Sequence, residues 1–70
     1  MEIPNSFYCS ISKQIMTDPV VAFDGHTYER SAIEDWQRTH GTSPITKQHL
    51  PKMFFPNNHM KALLENWKQE

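Results

Sequence analysis

A chain of 70 residues has room for one small domain, whose core is marginal without a staple. Its single cysteine, Cys9, excludes an internal disulfide and suits a reducing compartment. A formal net charge of -1, with cationic residues in short interrupted groups, excludes the electrostatic footprint of a nucleic-acid binder.

Residues 3–17 carry no clear helical or strand period. Pro4 and Asn5-Ser6 predict irregular backbone, and Phe7, Ile11, Ile15 and Met16 supply apolar anchors, so the segment reads as an ordered loop. From Pro19 to Tyr28, β-branched and aromatic residues flank Asp24-Gly25, which predicts a hairpin with a type I′ turn. Ser31-Ala32-Ile33-Glu34 fits the capping box of a helix, with a start two residues earlier as the alternative. Ile33 and Trp36 share one face of that helix, and Gly41 is its natural stop. Residues 42–51 form a second loop punctuated by Pro44 and Pro51, and residues 52–55 read as a short extended piece. Asn57 or Asn58 then caps a helix whose apolar residues Met60, Leu63, Leu64 and Trp67 stand at i, i+3, i+4 and i+7. That stripe assigns all four, with Ile33, to the core. The chain reads as free of internal repeats and low-complexity segments. The order loop, hairpin, helix, loop, helix makes it a small α+β domain, and loops this long are usually functional.

Structural zinc takes four ligands, drawn mainly from closely paired cysteines and histidines. The candidates Cys9, His26, His40, His49 and His59 have no such spacing, so the expectation is a fold without metal or cofactor, held by packing and hydrogen bonds. The four histidines read as surface residues. No apolar run approaches the roughly 20 residues of a membrane span, and Met1-Glu2-Ile3-Pro4 lacks the basic start and apolar run of a signal peptide. The expectation is a soluble intracellular domain over residues 1–70, cut from a longer protein, with no nucleic-acid or membrane partner. Its place is the cytoplasm or nucleus, or a host cell's cytosol if the parent is a delivered effector.

In register, the residues resemble a known family. Ile3-Pro4, Phe7-Tyr8-Cys9, Ile11-Ser12 and Met16 are followed by Asp18-Pro19-Val20, Gly25 and Thr27-Tyr28-Glu29-Arg30. Ile33, Trp36, Pro44-Ile45-Thr46, Leu50, Pro56-Asn57, Lys61 and Trp67 continue the match. Together these resemble the U-box. The resemblance implies a fold like the RING finger with its metal sites replaced by hydrogen bonds and ion pairs. It also implies a ubiquitin ligase without a nucleophile. Two loops and a central helix would form a shallow groove for a ubiquitin-conjugating enzyme carrying thioester-linked ubiquitin. The ligase would favour a closed, reactive arrangement that a lysine of an unknown substrate protein attacks, which is catalysis by positioning.

The resemblance sets particular residues against plainer readings. Ile11, which could simply pack inside, matches the family's first-loop aliphatic contact and is expected to be an exposed interface anchor. Lys13 stands where many relatives carry Leu or Phe, a change that trades apolar contact for charge and bears on the choice of conjugating enzyme. Trp36 occupies the groove face of the central helix, where core packing and groove contact are compatible. Pro44 matches the second-loop proline contact. Lys47 lies where related ligases place a cation touching both ubiquitin and the conjugating enzyme, although lysine lacks the fork of arginine; an ordinary solvated lysine is the alternative. Asp18, Glu29, Arg30, Thr46 and Asn57 are candidates for the polar network in place of zinc, their pairing left open. Cys9 reads as a buried small residue rather than a nucleophile, and Ser10 replaces the proline usual after it. A U-box-like interaction or dimerisation scaffold without transfer activity is the alternative to a ligase.

Overall fold

The computed structural model describes residues 3–68. Met1 and Glu2, part of the signal-peptide reading, lie outside them, as do Gln69 and Glu70. A strand β1 (Pro19–Val21) forms a hairpin with β2 (Thr27–Glu29), which runs straight into helix α1 (Arg30–His40). A two-residue strand β3 (Phe55–Pro56) precedes helix α2 (Asn58–Lys68). The sheet is antiparallel in the order β2-β1-β3, with Val20 opposite Tyr28 on one side and Pro56 on the other. Pro56 is tolerated because β3 is an edge strand, where a missing N–H costs no ladder bond. The extended piece expected over 52–55 thus shortens to two residues, ends one residue later and becomes part of the sheet.

Two local expectations are corrected. The hairpin turn is not type I′, which needs positive φ at both central residues. Only Gly25 is left-handed (φ 83°), and its N–H bonds back to Ala22 O at 3.0 Å, while Ala22 N–H reaches His26 O at 3.0 Å. This is the longer turn closed by a left-handed glycine, favoured because the Asp24 carboxylate accepts His26 N–H at 2.9 Å and caps the turn itself. The second correction concerns α1, which begins at Arg30 rather than behind a Ser31 capping box. Glu29 stands at the cap, but its carboxylate is committed elsewhere and makes no cap bond. Gly41 ends the helix as expected, in the left-handed region (φ 67°), its N–H bonded to Gln37 O at 3.0 Å.

Asn57 caps α2: its Oδ1 accepts Met60 N–H at 3.0 Å, while its Nδ2 donates to Thr27 Oγ1 at 3.0 Å, so one side chain ties the helix to the hairpin. Along α2 the expected core stripe is only partly right. Leu64 is buried and Met60 and Trp67 pack against the core, but Leu63 is 41% exposed. Positions 60, 64 and 67 lie within a narrow arc of a helix turning about 100° per residue, and position 63 falls on the flank of that arc. Ile33 from α1 and Tyr28 from β2 are fully buried with Val20 and Met16 between the helices and the sheet. Each such side chain contributes on the order of 1.5–3 kcal/mol. Trp67 meets Phe7 edge to face at 5.7 Å, pinning the first loop from the far end of the chain.

The two long loops are copies of one another, contrary to the expectation of no internal repeat. In the first, Cys9 N–H bonds to Gln14 O, Lys13 N–H to Cys9 O and Met16 N–H to Phe7 O. In the second, Ser43 N–H bonds to Gln48 O, Lys47 N–H to Ser43 O and Leu50 N–H to Gly41 O. Isolated bridges, Tyr8 with Ile15 and Thr42 with His49, close both. Lys13 (φ 64°) and Lys47 (φ 70°) are the positive-φ residues other than glycine among the described residues, one in each loop at the same place. Residues 9–16 thus map onto 43–50, with Ile, Lys and Gln identical at three positions and Ser opposite Thr and Met opposite Leu at two more. A match this short is hidden in sequence; the hydrogen bonds expose it.

In this repeat the Cys9 sulfur stands where Ser43 Oγ stands. Ile11 N–H points at Cys9 Sγ at 3.4 Å, as Ile45 N–H points at Ser43 Oγ at 3.0 Å. If Cys9 were only a buried apolar residue, alanine would replace it better than serine. An acceptor role reverses the order, because alanine leaves buried N–H groups unpaired at about 1–3 kcal/mol. Thermal unfolding of Cys9→Ser and Cys9→Ala is expected to rank serine the more stable.

Candidate functional site

The first loop and the outer face of α1 enclose an open groove of about 520 Å³. Ile11 and Ser12 form one wall, and Ala32, Trp36, Thr39 and His40 from successive turns of α1 form the other. Ile11 is less exposed than the resemblance implies: it is half-buried, packed against the core on one side and open to the groove on the other. Trp36 is likewise half-buried and does both things. Its Nε1–H donates to Thr42 O at 2.6 Å, which ties the indole to the start of the second loop.

Of the expected contact residues, the structure brings Ile11 and Trp36 into one groove. Pro44 is half-buried on the second loop, and Lys13 and Lys47 are exposed at the two loop tips, outside the groove lining. Lys47 Nζ rests 3.5 Å from Pro44 O. A left-handed lysine costs on the order of 1–2 kcal/mol relative to an ordinary backbone, and outliers of this kind cluster at working sites. Here the repeat supplies the reason they persist: in each loop the lysine N–H closes the bond to the Cys9 or Ser43 carbonyl.

Two polar networks fasten the loops to the rest of the domain. The first joins the end of loop one to the start of α1. Glu29 accepts from Thr17 N–H at 2.8 Å, Thr17 Oγ1–H at 2.9 Å and Asp18 N–H at 3.1 Å. Arg30 Nε donates to Asp18 Oδ2 at 2.7 Å, and Arg30 N–H to Asp18 O at 3.0 Å. Asp18, Glu29 and Arg30 are therefore cross-linked, and Asn57 forms its own tie as described. Thr46 is different. Its hydroxyl only accepts Gln48 N–H at 3.3 Å, within its own loop, so it spans nothing.

The residues that do span to the second loop are Asp24, Tyr28 and Ser43, which sequence reading did not assign to the network. Tyr28 OH donates to Asp24 Oδ2 at 2.6 Å and Ser43 Oγ–H donates to the same oxygen at 2.7 Å. Ser43 is buried and accepts Ile45 N–H at 3.0 Å and Thr46 N–H at 2.9 Å. Among the described residues, no buried side-chain nitrogen or oxygen lacks a partner. The missed signal was Asp24-Gly25, which reads so strongly as a turn that the aspartate's second job is masked.

Burial opposes ionisation of Asp24, yet the hydroxyls of Tyr28 and Ser43, then His26 N–H, outweigh it and hold the carboxyl below its ordinary value. Burial and the adjacent carboxylate push the Tyr28 phenol up. At Cys9, burial again opposes the charged form, while backbone hydrogen bonds from Ser12, Glu29 and Ile11 bring the thiol below its ordinary value. The sulfur is 0% exposed, a buried group fastened by those hydrogen bonds. No group of three or more His, Cys, Asp or Glu among the described residues is placed to hold a metal ion. No described helix is long and apolar enough to cross a membrane.

A second open groove, about 450 Å³, is lined by Arg30, Glu34, Asp35, Arg38, Lys52 and Phe54. Its guanidinium groups are engaged by Asp18 and Asp35.

A depressed folded-state pKa means that the stability Asp24 contributes is present above about pH 4 and is lost as pH falls through the folded value. Asp24→Asn is expected to cost about 1–3 kcal/mol at neutral pH, since two hydroxyls lose a charged acceptor. The gap between variant and wild type should then narrow as pH falls below 4. Denaturant midpoints from pH 2.5 to 7 check this, and a constant gap would contradict it.

Comparison with known proteins gives a consistent answer. The U-box domain model matches residues 3–70. Over 67 residues the chain is 40% identical to human WD repeat, SAM and U-box domain-containing protein 1, covering 93% of this chain and 14% of that protein. Over 70 residues it is 43% identical to "Putative E3 ubiquitin-protein ligase LIN-1" of Lotus japonicus, covering 96% of this chain and 5% of that protein. The chain thus spans a small part of the length of the curated relatives it matches. The solved structure of the RING finger-like domain of Retinoblastoma Binding Protein-6 superposes with a TM-score of 0.82 at 30% identity, over 97% of this chain and 79% of that one.

Proposed function

The chain belongs to the U-box family, and from that premise we propose that it is a ubiquitin ligase module that binds a ubiquitin-charged conjugating enzyme and promotes transfer without a covalent ligase intermediate. The observation that carries this reading is the groove in which Ile11 and Trp36 face one another across the first loop and α1. It presents an aliphatic and an aromatic side chain on a hydrogen-bonded frame, the kind of anchor pair around which interfaces concentrate their energy. A relative whose name is that of a ubiquitin-protein ligase supports the same reading.

The proposed mechanism uses no side chain of the domain as acid, base or nucleophile. The conjugating enzyme brings its own thioester, and the substrate lysine amine attacks the carbonyl carbon. The C–N bond forms as the C–S bond breaks, and the conjugating enzyme's sulfur leaves as thiolate and takes up the proton the amine loses. The domain lowers the entropy cost of reaching the reactive geometry by holding the charged enzyme in one arrangement. Pro44 extends the contact onto the second loop. Lys13 and Lys47, exposed at matching loop tips, present cations to the conjugating enzyme and its ubiquitin, and so bias which enzymes bind and how fast. The inaccessible Cys9 sulfur supports a transfer that bypasses the ligase. The proposed setting is the cytoplasm or nucleus.

Ile11→Ala tests the groove. Removing a central anchor costs binding at least about 2 kcal/mol, roughly thirtyfold in affinity. Because Ile11 is half-buried, its folding cost is expected to stay below the about 2–5 kcal/mol of a fully buried site. Affinity for a panel of conjugating enzymes and discharge of their bound ubiquitin onto free lysine should both fall while most of the unfolding midpoint is kept. Normal binding by a destabilised variant would remove Ile11 from the interface. Wild-type binding without faster discharge would favour the scaffold reading.

A further inference from the structure

The indole of Trp36 is held in a way that its own packing does not require. The imidazole of His40, the last residue of α1, lies flat on it, with ring centroids 3.7 Å apart and planes within 5° of parallel. His40 is exposed, so burial does not hold it there. Its Nδ1 lies 3.3 Å from Trp36 O and 2.8 Å from Thr39 Oγ1 while the ring face lies on the indole. At its other end the indole is fixed by Nε1–H donating to Thr42 O. Both residues line the groove with Ile11.

Resting on the ligase reading above, we infer that His40 is a positioning residue for partner binding: its imidazole clamps Trp36 in the groove-facing pose. The physical reason is preorganisation. An indole on the surface of a helix has several rotamers, and a partner that needs one of them loses affinity for ordering it. The pair at i and i+4 lies one above the other on the helix surface, which is the spacing at which side chains meet. The left-handed turn at Gly41 then leads the chain away, so that Thr42 O comes under the indole N–H while His40 covers its face. His40 thus works through Trp36, where the sequence pattern marked it only as a surface histidine.

The test compares wild type, His40→Ala and His40→Phe, using the conjugating enzyme that the wild type binds best. Stacked aromatic pairs have strengths that translate into about 2- to 12-fold in affinity. His40→Ala is expected to weaken binding by that factor with an unfolding midpoint close to wild type, since alanine favours the helix. His40→Phe, which keeps the stack and drops the ring nitrogens, should restore the affinity. In the free proteins, the Trp36 indole N–H resonance should shift and broaden in His40→Ala and recover in His40→Phe, while that of Trp67 stays put. A wild type that binds while His40→Ala binds equally well overturns this inference alone, as does a His40→Phe variant that fails to recover. A wild type that binds no conjugating enzyme overturns the ligase reading and this inference with it.

Discussion

One carboxylate oxygen, Oδ2 of Asp24, receives two hydroxyl protons inside the domain, from Tyr28 at 2.6 Å and from Ser43 at 2.7 Å. Through Ser43 Oγ, which in turn accepts Ile45 and Thr46 N–H, the order of the second loop passes back to the hairpin. A 70-residue chain with one cysteine has no disulfide to hold ten residues of loop. Loop ordering costs on the order of 1–2 kcal/mol per residue in backbone entropy, so buried polar groups must be fully satisfied to be worth their desolvation. The Asp24 cluster meets that condition. It also ties the hairpin tip to the loop that carries Pro44 and Lys47, far along the chain.

The duplicated loops extend the same logic across the molecule. Each is closed by the same backbone hydrogen bonds around one buried acceptor, Cys9 Sγ in the first and Ser43 Oγ in the second. Each lifts one lysine into the left-handed region at its tip. Helix α1 lies between them, started by the Glu29 and Asp18–Arg30 network and stopped by Gly41, whose carbonyl receives Leu50 N–H. The groove lies between the first loop and α1, and the second loop is tied to the end of the same helix through Trp36 Nε1–H and Thr42 O. Rigidity achieved this way suits a module proposed to act by positioning, because a loose frame would return the entropy that positioning removes.

Much of this was legible in the sequence, and the misses share a cause. The hairpin, both helices, the Asn57 cap and the burial of Ile33 and Leu64 follow from periodicity and capping chemistry. Ile11 and Trp36 were found through resemblance, and their meeting in one groove required the fold. Leu63 was misplaced because a four-residue stripe does not say which member stands on its flank. Thr46 is a network candidate by resemblance, whereas Ser43, the buried hydroxyl of the same loop, is the one that crosses to another element. Asp24 was read as a turn residue, which it is; that its other oxygen faces inward depends on Tyr28 pointing the same way from β2. The loop repeat escaped notice because its identity lies in hydrogen bonds.

A hydroxyl–carboxylate cluster of Asp24, Tyr28 and Ser43 ties the second loop to the hairpin. Amide hydrogen exchange of wild type and Ser43→Ala, both in the presence of a strong chelator, tests it most directly, since the first loop serves as internal reference. The account predicts protected Ser43, Lys47 and Leu50 amides in the wild type and their selective loss in Ser43→Ala, with the Cys9, Lys13 and Met16 amides still protected. Second-loop amides already unprotected in chelated wild type, or equal protection of both loops in Ser43→Ala, would contradict it.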